Sequence, residues 1–361
     1  QSGLARKIKK EVKFPIHLSF YSRVNHEYHT AKQIHLISRP SGMPTKANFK
    51  LVEVELPAPT DGEVLVKNLY MSVDPYMRGR MRENAVYAEA YAIDSVMYGG
   101  AVGEVIESAD PSLQAGDIVL NSAAWQDKFI AKANTVSKVI PFDPDQLSLY
   151  LGTLGMPGLT SYVGLFKYGE PIEGETVFVS AASGAVGANV CQIAKLKGCR
   201  VIGSVGSDAK GQWLLDECGV DAVINYKTCG DISKALAQAA PEGIDVYFEN
   251  VGGDHLQAAL EVMNPYGRIA ACGMIASYNN AEPAPGPNNL MLIVGKKVRI
   301  NGFIVSDHGG MRDQFLSEMI PWIADGKVKS RETVFEGIDN AVDAFLGLFS
   351  GENFGKMVVK L

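Results

Sequence analysis

Val177-Phe-Val-Ser-Ala-Ala-Ser-Gly-Ala-Val-Gly-Ala188 is the stretch that decides the fold. It completes an apolar strand, Thr176–Ser180, and opens a helix, Ala188–Lys197, whose apolar residues recur at helical spacing. A second apolar strand, Arg200–Gly203, follows at once. Two glycines of a G-x-G-x-x-G stand here, Gly184 and Gly187, with Ala182 where the first would be. Such a depleted fingerprint is weak alone, since a tight turn in another α/β protein gives the same letters. The surrounding strand, helix and strand lift it to a dinucleotide-binding turn. In such a turn the backbone approaches a pyrophosphate closely, and the unpaired N–H groups of the helix N-terminus face its charge.

Outward from the turn the same rhythm continues. Lys210–Cys218 and Ile232–Ala240 read as helices, and Ala222–Asn225, Asp245–Glu249 and Arg268–Cys272 as strands. Short apolar strands alternating with helices predict a parallel, doubly wound α/β sheet of the Rossmann kind. Upstream, Phe49–Leu56, Glu63–Tyr70, Ala101–Glu107 and Asp117–Asn121 are short strand-like runs. Turn pairs such as Asp61-Gly62 and Gly116-Asp117 bound them, which predicts a mainly β domain. A helical stretch, Leu147–Tyr168, lies at the joint. The last part reads as helices Gln314–Asp325 and Ala341–Phe349 and a final strand, Lys356–Lys360. Two domains suit a chain of 361 residues.

Charge and cysteines narrow the function classes. The formal net charge is −6, yet residues 1–30 carry six basic side chains against Glu11 and Glu27, so the remainder is more acidic still. That disfavours nucleic acid as a partner. Residues 1–31 read as a basic leader outside the folded domains, with organelle targeting left open. No uncharged apolar run reaches the ~18 residues of a membrane span. Five scattered cysteines without a C-x-x-C pair suggest reduced thiols, and so a cytoplasmic setting.

The end of the second strand bears on the cofactor. NAD enzymes commonly place an acid there for the ribose 2′-hydroxyl. Here the chain reads Val201-Ile-Gly-Ser-Val-Gly-Ser-Asp-Ala-Lys210, and the strand itself ends without one. Lys210, helped by the hydroxyls of Ser204 or Ser207, suits a 2′-phosphate and points to NADPH; a solvated helix lysine is the plainer alternative. A catalytic zinc is not expected. From Lys32 to about Tyr150 there is no cysteine and only His35, too few ligands for such a site, and His255 and His308 read as surface or loop residues.

Further stretches carry a family resemblance: Ser72-Val-Asp-Pro-Tyr-Met-Arg-Gly-Arg-Met81, Leu154-Gly-Met-Pro-Gly-Leu-Thr-Ser-Tyr162, Gln192–Cys199, and Tyr247-Phe-Glu-Asn-Val-Gly-Gly253. Cys272-Gly-Met-Ile-Ala-Ser-Tyr-Asn279, Pro285-Gly-Pro287 and Glu352-Asn-Phe-Gly-Lys356 complete the set. With these, Lys32 to Leu361 resembles the zinc-independent medium-chain dehydrogenase/reductases: alkenal double-bond reductases, leukotriene B4 dehydrogenase/prostaglandin reductases and curcumin reductases. The resemblance implies a GroES-like, mainly β catalytic domain (32–160 plus 326–361) around a Rossmann NADPH-binding domain (161–325), and a homodimer. It assigns Gly184, Ala185, Val186 and Gly187 to the pyrophosphate, and Lys210 with Tyr226 to the 2′-phosphate. Asn250, Cys272, Gly273, Met274, Ile275, Ala276, Ser277, Tyr278, Phe303, Ile304, Val305 and Asn353 would line the nicotinamide half, with Met156 and Thr160 also at the cofactor. Ala276 stands where relatives often carry serine.

The implied reaction is reduction of the double bond of α,β-unsaturated aldehydes and ketones. Tyr278, expected at a strand end beside the cofactor, is the candidate hydrogen-bond donor or proton source; pocket packing is its plainer role. Tyr70, Tyr76 and Met156 would shape the substrate pocket, with Pro283–Asn289 covering it. A quinone oxidoreductase and a non-enzymatic NADPH-binding sensor are the competing expectations.

Overall fold

The computed structural model describes residues 29–86 and 88–361. The expected leader lies outside the described residues up to residue 28, while His29–Leu36 is a strand, which begins three residues before the anticipated boundary.

The sheet around the glycine turn is parallel and six-stranded. Its strands lie in the order Ala222–Asn225, Arg200–Val205, Thr176–Val179, Ile244–Glu249, Met263–Ala271, Arg299–Gly302. By chain order that is 3-2-1-4-5-6, so direction reverses beside Thr176–Val179, where such sheets bind ligands at their carboxyl ends. Val177, Val179, Val201, Val246 and Phe248 face one buried cluster; Phe178, Ile202, Tyr247 and Ile269 face another. The near-continuous apolar strands therefore alternate between two cores, as expected when helices cover both faces. Each such side chain contributes roughly 1.5–3 kcal/mol by leaving water.

The first domain is built on a second sheet. Its strands run in the order Glu332–Glu336, Lys356–Lys360, Glu63–Ser72, Ala101–Ser108, Ile118–Asn121 and Ser137–Lys138, and Lys128–Lys132 also pairs with Glu63–Ser72. The final strand thus returns, antiparallel, to residues 70–72. Behind this sheet Trp125 stacks on Phe49 and meets Phe345 edge-on, in a core closed by helix Ala341–Ser350. The largest apolar cluster crosses between the domains, joining Val102 and Val358 to Leu154, Phe248 and Phe303. This couples the two sheets and fixes the cleft between them.

The expected strand and helix limits differ from the observed ones by a few residues at most in the parallel domain, except at the fifth strand, which starts at Met263. Two placements differ in kind. Tyr278 follows a single 3-10 turn, Ile275–Ser277, not a strand end, because the strand stops at Ala271. His255 is buried, because it shares with Ala258, Ala259 and Val262 the face that helix Gly253–Val262 lays on the sheet.

Candidate active site

The chain leaves Thr176–Val179 through residues 180–186 and enters helix Gly187–Leu196. Ala181 adopts the left-handed conformation at φ 47°, and its carbonyl accepts the Gly184 N–H at 3.0 Å. A Cβ on Gly187 would stand 2.3 Å from that same oxygen, so glycine is required there. The absent first glycine also has a cause. Gly203 on the neighbouring strand leaves room for the Ala182 methyl, which a Cβ at 203 would meet at 2.8 Å. Gly184, Ala185 and Val186 remain half-buried, and the first two line a cleft with Asn189, Arg331 and Gly355. The returning C-terminal segment closes one side, Gly355 N–H donating to the Ser183 carbonyl at 2.9 Å. This brings Asn353, whose amide donates to the Gly355 carbonyl, next to the turn.

At the end of the second strand the candidates separate. Ser204 is buried and bonded to His255 at 2.8 Å, and the Ser207 hydroxyl caps helix Asp208–Glu217 by accepting the Lys210 N–H. The Ser204 hydroxyl is thus committed inside the protein and withdrawn from a phosphate, whereas Ser207 accepts at its oxygen and keeps its O–H as a donor. Asp208, the nearest acid, accepts from the Asn225 amide. What remains around the turn Gly206 is cationic and phenolic. A Cβ at 206 would lie 3.0 Å from the Tyr226 hydroxyl oxygen and 3.4 Å from Lys227 Cε, so the glycine keeps a small hollow open. Lys210 Nζ donates to the Gly351 carbonyl at 2.6 Å, and Lys227 Nζ approaches the same glycine. Among the described residues neither ammonium has an ion pair. Burial, and then repulsion from Lys227, lower the Lys210 pKa. Two like charges converging without a carboxylate form a site for an anion. Lys227 escaped the sequence reading; the signal was its place beside Tyr226, after the strand that neighbours the second one.

His255 also belongs to this corner. Desolvation depresses its pKa to about 4, so it is neutral near pH 7, and Tyr226 packs edge-on against its ring. His308 is held between Lys167 and Tyr168, at 3.2 and 3.0 Å.

The nicotinamide-side candidates gather at the carboxyl ends of the fourth and fifth strands. Asn250 is tied to Ser180 twice, its N–H donating to the hydroxyl at 2.9 Å and its amide to the carbonyl at 2.8 Å. Beneath it Glu249 is fully buried. Its Oε1 accepts from the Tyr247 hydroxyl and from the N–H groups of Val251 and Gly252, all at 2.7 Å. Burial raises its pKa. Cys272 and Gly273 N–H groups both donate to the Glu249 carbonyl, and Ile275 and Ala276 to those of Asn250 and Val251. The segment Cys272–Tyr278 is therefore laced to the Asn250 loop. The Tyr278 hydroxyl lies over this lacing and accepts the Met274 N–H at 3.4 Å.

The other candidates are more dispersed. Phe303 stacks on Tyr168, with Ile304 and Val305 following it. Met156 opens helix Met156–Val163 and is partly exposed, while the Thr160 hydroxyl donates to the Met156 carbonyl at 2.7 Å. Tyr70 packs against the interdomain cluster and Tyr76 against the first-domain core, so these two line different apolar clusters. Residues 283–289 form an exposed to half-buried loop without regular structure.

Among the described residues no three or more of His, Cys, Asp and Glu are grouped to hold a metal ion. Residues 32–139 match the family model for the N-terminal domain of oxidoreductases, and residues 185–325 the model described as a zinc-binding dehydrogenase. A 2-alkenal reductase (NADP(+)-dependent) of Nicotiana tabacum is 45% identical over 91% of this chain and 96% of its own. The NADPH-dependent curcumin reductase of Escherichia coli K12 is 43% identical over 90% and 95%. CurA from Vibrio vulnificus, solved in complex with NADPH, superimposes with a TM-score of 0.86 at 42% identity, covering 91% of this chain and 98% of that one. With its GroES-like first domain, its Rossmann sheet and these relatives, the chain belongs to the zinc-independent branch of the medium-chain dehydrogenase/reductase family.

Proposed function

We propose that the protein reduces the carbon–carbon double bond of α,β-unsaturated aldehydes and ketones with NADPH. The observation that carries this is one sheet with a cationic hollow at its second-strand end and a phenol, Tyr278, on the loop and 3-10 turn that follow its fifth strand. The activities named for the tobacco and Escherichia coli relatives support it.

The residues present fit NADPH. The hollow at Gly206, with Lys210, Lys227 and Tyr226 around it, suits a 2′-phosphate, and no strand-end acid repels one. When bound, the cofactor supplies hydride to the carbon β to the substrate carbonyl. The chain's own residues bind and orient. Gly184–Gly187 and the helix they open receive the pyrophosphate, with a helix-end contribution of about 0.3–1 kcal/mol. Asn250, Cys272–Tyr278, Phe303–Val305 and Asn353 enclose the nicotinamide half, beside Met156 and Thr160. Tyr278 donates a hydrogen bond to the carbonyl oxygen as negative charge builds there, a contribution of about 10²–10³ in rate, and the resulting enolate takes a proton at the α-carbon, from Tyr278 or from water, to complete the saturated product. Tyr70 and Tyr76 shape the acceptor side.

The same interpretation divides the chain into 32–160 with 326–361, extended by strand residues 29–31, and 161–325; the return of Lys356–Lys360 to residues 70–72 supports this. A homodimer is supported by the sheet's outer strand, Arg299–Gly302, and by the exposed Met291 (78%) and Val294 (73%) on the adjoining helix. Scattered thiols support the cytoplasm. No helix among the described residues is long and apolar enough to cross a membrane.

The test is consumption of NADPH, read by its absorbance, with enals, enones, quinones and no acceptor. Enals and enones should be reduced, and Tyr278→Phe should cut that turnover about 10²–10³-fold while NADPH affinity holds. Quinone-only turnover would reassign the acceptor. Binding without consumption would make the protein a sensor.

A further inference from the structure

We infer that Arg78 and Arg82, both in the first domain, are positioning residues that hold Tyr278 in place from across the domain boundary. The inference deepens the proposed function and rests on the role of Tyr278 in it. Residues 278–280 belong to the parallel-sheet half, where Tyr278 N–H donates to the Ile275 carbonyl and Asn280 N–H to that of Ser277, each a short loop bond at 3.2 Å. Their outward polar groups are taken by the other domain. Arg82 Nη2 donates to the Tyr278 carbonyl at 3.0 Å and to the Asn280 carbonyl at 2.9 Å. Arg78 Nε donates to Asn279 Oδ1, between those two carbonyls in sequence, at 3.1 Å.

The first domain holds these guanidinium groups ready. Arg78 is fully buried, and its Nη2 is fastened to the carbonyls of Pro40 and Gly42 at 3.2 and 2.9 Å. Its Nη1 has no hydrogen-bond partner among the described residues, and no ion pair is formed there. Burial and the nearby Arg82 charge both press its pKa down, to about 10. A buried cation compensated only by neutral acceptors is costly to fold. Arg78 lies in the short helix Met77–Arg80, and Arg82 follows two residues past its end, its N–H still bonded to the Gly79 carbonyl at 3.2 Å, so the two guanidinium groups reach the same loop from adjoining backbone. Arg80, between them, turns elsewhere: it stacks on Tyr91 at 4.5 Å and donates to the Glu89 carbonyl. Two of the three arginines therefore reach one loop, the one that bears the candidate donor.

Arg82 is half-buried and is the better position to test. Arg82→Met keeps an unbranched apolar stem and removes the donors; Arg82→Lys keeps the charge. Asn279→Ala releases the loop from Arg78 while leaving that guanidinium in place. Turnover on an enone, its KM, and NADPH affinity by fluorescence titration are measured for each, alone and combined with Tyr278→Phe. Arg82→Met should lower kcat about 10–100-fold with NADPH affinity unchanged, since small misplacements of a catalytic group cost that much. Arg82→Lys should recover part of the loss, and Asn279→Ala should show a smaller fall. On the Tyr278→Phe background, Arg82→Met should cost nothing more, because the interaction it serves is already gone. Independent, multiplying losses would overturn the inference, as would a fall in NADPH affinity matching the fall in kcat. Unchanged kcat in Arg82→Met, with Tyr278→Phe impaired, would overturn the inference alone. An unimpaired Tyr278→Phe would overturn the donor role and this inference together.

Discussion

The glycine turn and the Tyr278 segment occupy carboxyl ends of the same parallel sheet, but they are held in different ways. The turn is fixed largely by its own backbone: Ala181 in the left-handed region, its carbonyl over Gly184 and Gly187, and Gly203 giving way to Ala182. The Tyr278 segment is laced by backbone bonds to the Asn250 loop as far as Ala276, and beyond that residues 278–280 are held by side chains from another domain, Arg78 and Arg82. The glycine turn is thus shaped mainly within one half of the molecule, with the returning C-terminal segment closing one side through Gly355, whereas residues 278–280 are held mainly from the other half. Enzymes that gather a site this way can keep binding after losing turnover, and the reverse is harder to achieve.

The largest effect should come from breaking the self-contained side. Gly187→Val places a side chain 2.3 Å from the Ala181 carbonyl and 2.8 Å from Ala182 Cα, both backbone atoms that cannot swing away. Overpacking of that kind costs about 1–3 kcal/mol, a factor of about 10–100 in NADPH affinity if the turn absorbs it. Isothermal titration with NADPH, alongside a thermal melt, checks this. Affinity within twofold of the parent would show that the turn is not held by its backbone, and the contrast with the Tyr278 segment would collapse.

The same contrast explains what could be read from the sequence. The turn, the first five strands of the sheet and the first three helices were legible because residue type dictates them directly: glycine for close approach, apolar runs for strands buried on both faces. The sixth strand, Arg299–Gly302, is exposed to half-buried and carries no such run, and it and helix Gly253–Val262 were not read. The domain swap-back was legible only through resemblance, since nothing in Lys356–Lys360 announces its partner at residues 70–72. Side chains whose roles depend on packing were not legible. His255 looks like a loop histidine until its helix is rotated onto the sheet, where the spacing to Ala258, Ala259 and Val262 puts it inside. Ser204 appeared available because its partner, His255, is 51 residues away. Lys227 is an ordinary lysine until the 3-2-1 strand order sets it beside Gly206. Arg78 and Arg82 sat within the Ser72–Met81 motif and just past it, with no role assigned, for want of any sign of the loop they reach.

A middle-sized effect should sharpen the cofactor side. Lys210→Ala and Lys227→Ala each remove one of the two ammoniums that converge without a carboxylate. Each charge-assisted hydrogen bond is worth about 1.5–3 kcal/mol, trimmed by solvent at the exposed Lys227 and half-buried Lys210, so NADPH affinity should fall about 10-fold per lysine. NADH, which lacks the phosphate, should be affected less than threefold. Lys210→Ala additionally frees the Gly351 carbonyl at the C-terminus of helix Ala341–Ser350, so its loss should be the larger of the two. Kinetics with both cofactors across a salt series gives the comparison, and equal losses for NADPH and NADH would refute the phosphate assignment.

The smallest effect concerns acid. His255 is buried against Ser204 and Tyr226 at the cofactor end of the sheet, and its pKa is depressed from 6.5 to about 4 by desolvation. Between those two values the unfolded chain binds a proton that the folded chain refuses, so stability falls as pH drops from about 6.5 towards 4 and changes no further below. One pKa unit corresponds to about 1.4 kcal/mol, which puts the loss from this group at about 2 kcal/mol by pH 5. His255→Gln, which keeps a hydrogen-bonding group towards Ser204, should cost some stability at pH 7 but lose this part of the acid dependence. Urea melts of both proteins at pH 7 and pH 5 measure the difference. The Arg78 and Arg82 contacts contain no group that titrates in this range, so acid should loosen the cofactor corner while the Tyr278 segment keeps its hydrogen-exchange protection. Parallel loss of protection at residues 278–280 and at the second strand would mean that the two regions open as one unit, and that the division drawn between them is not energetic.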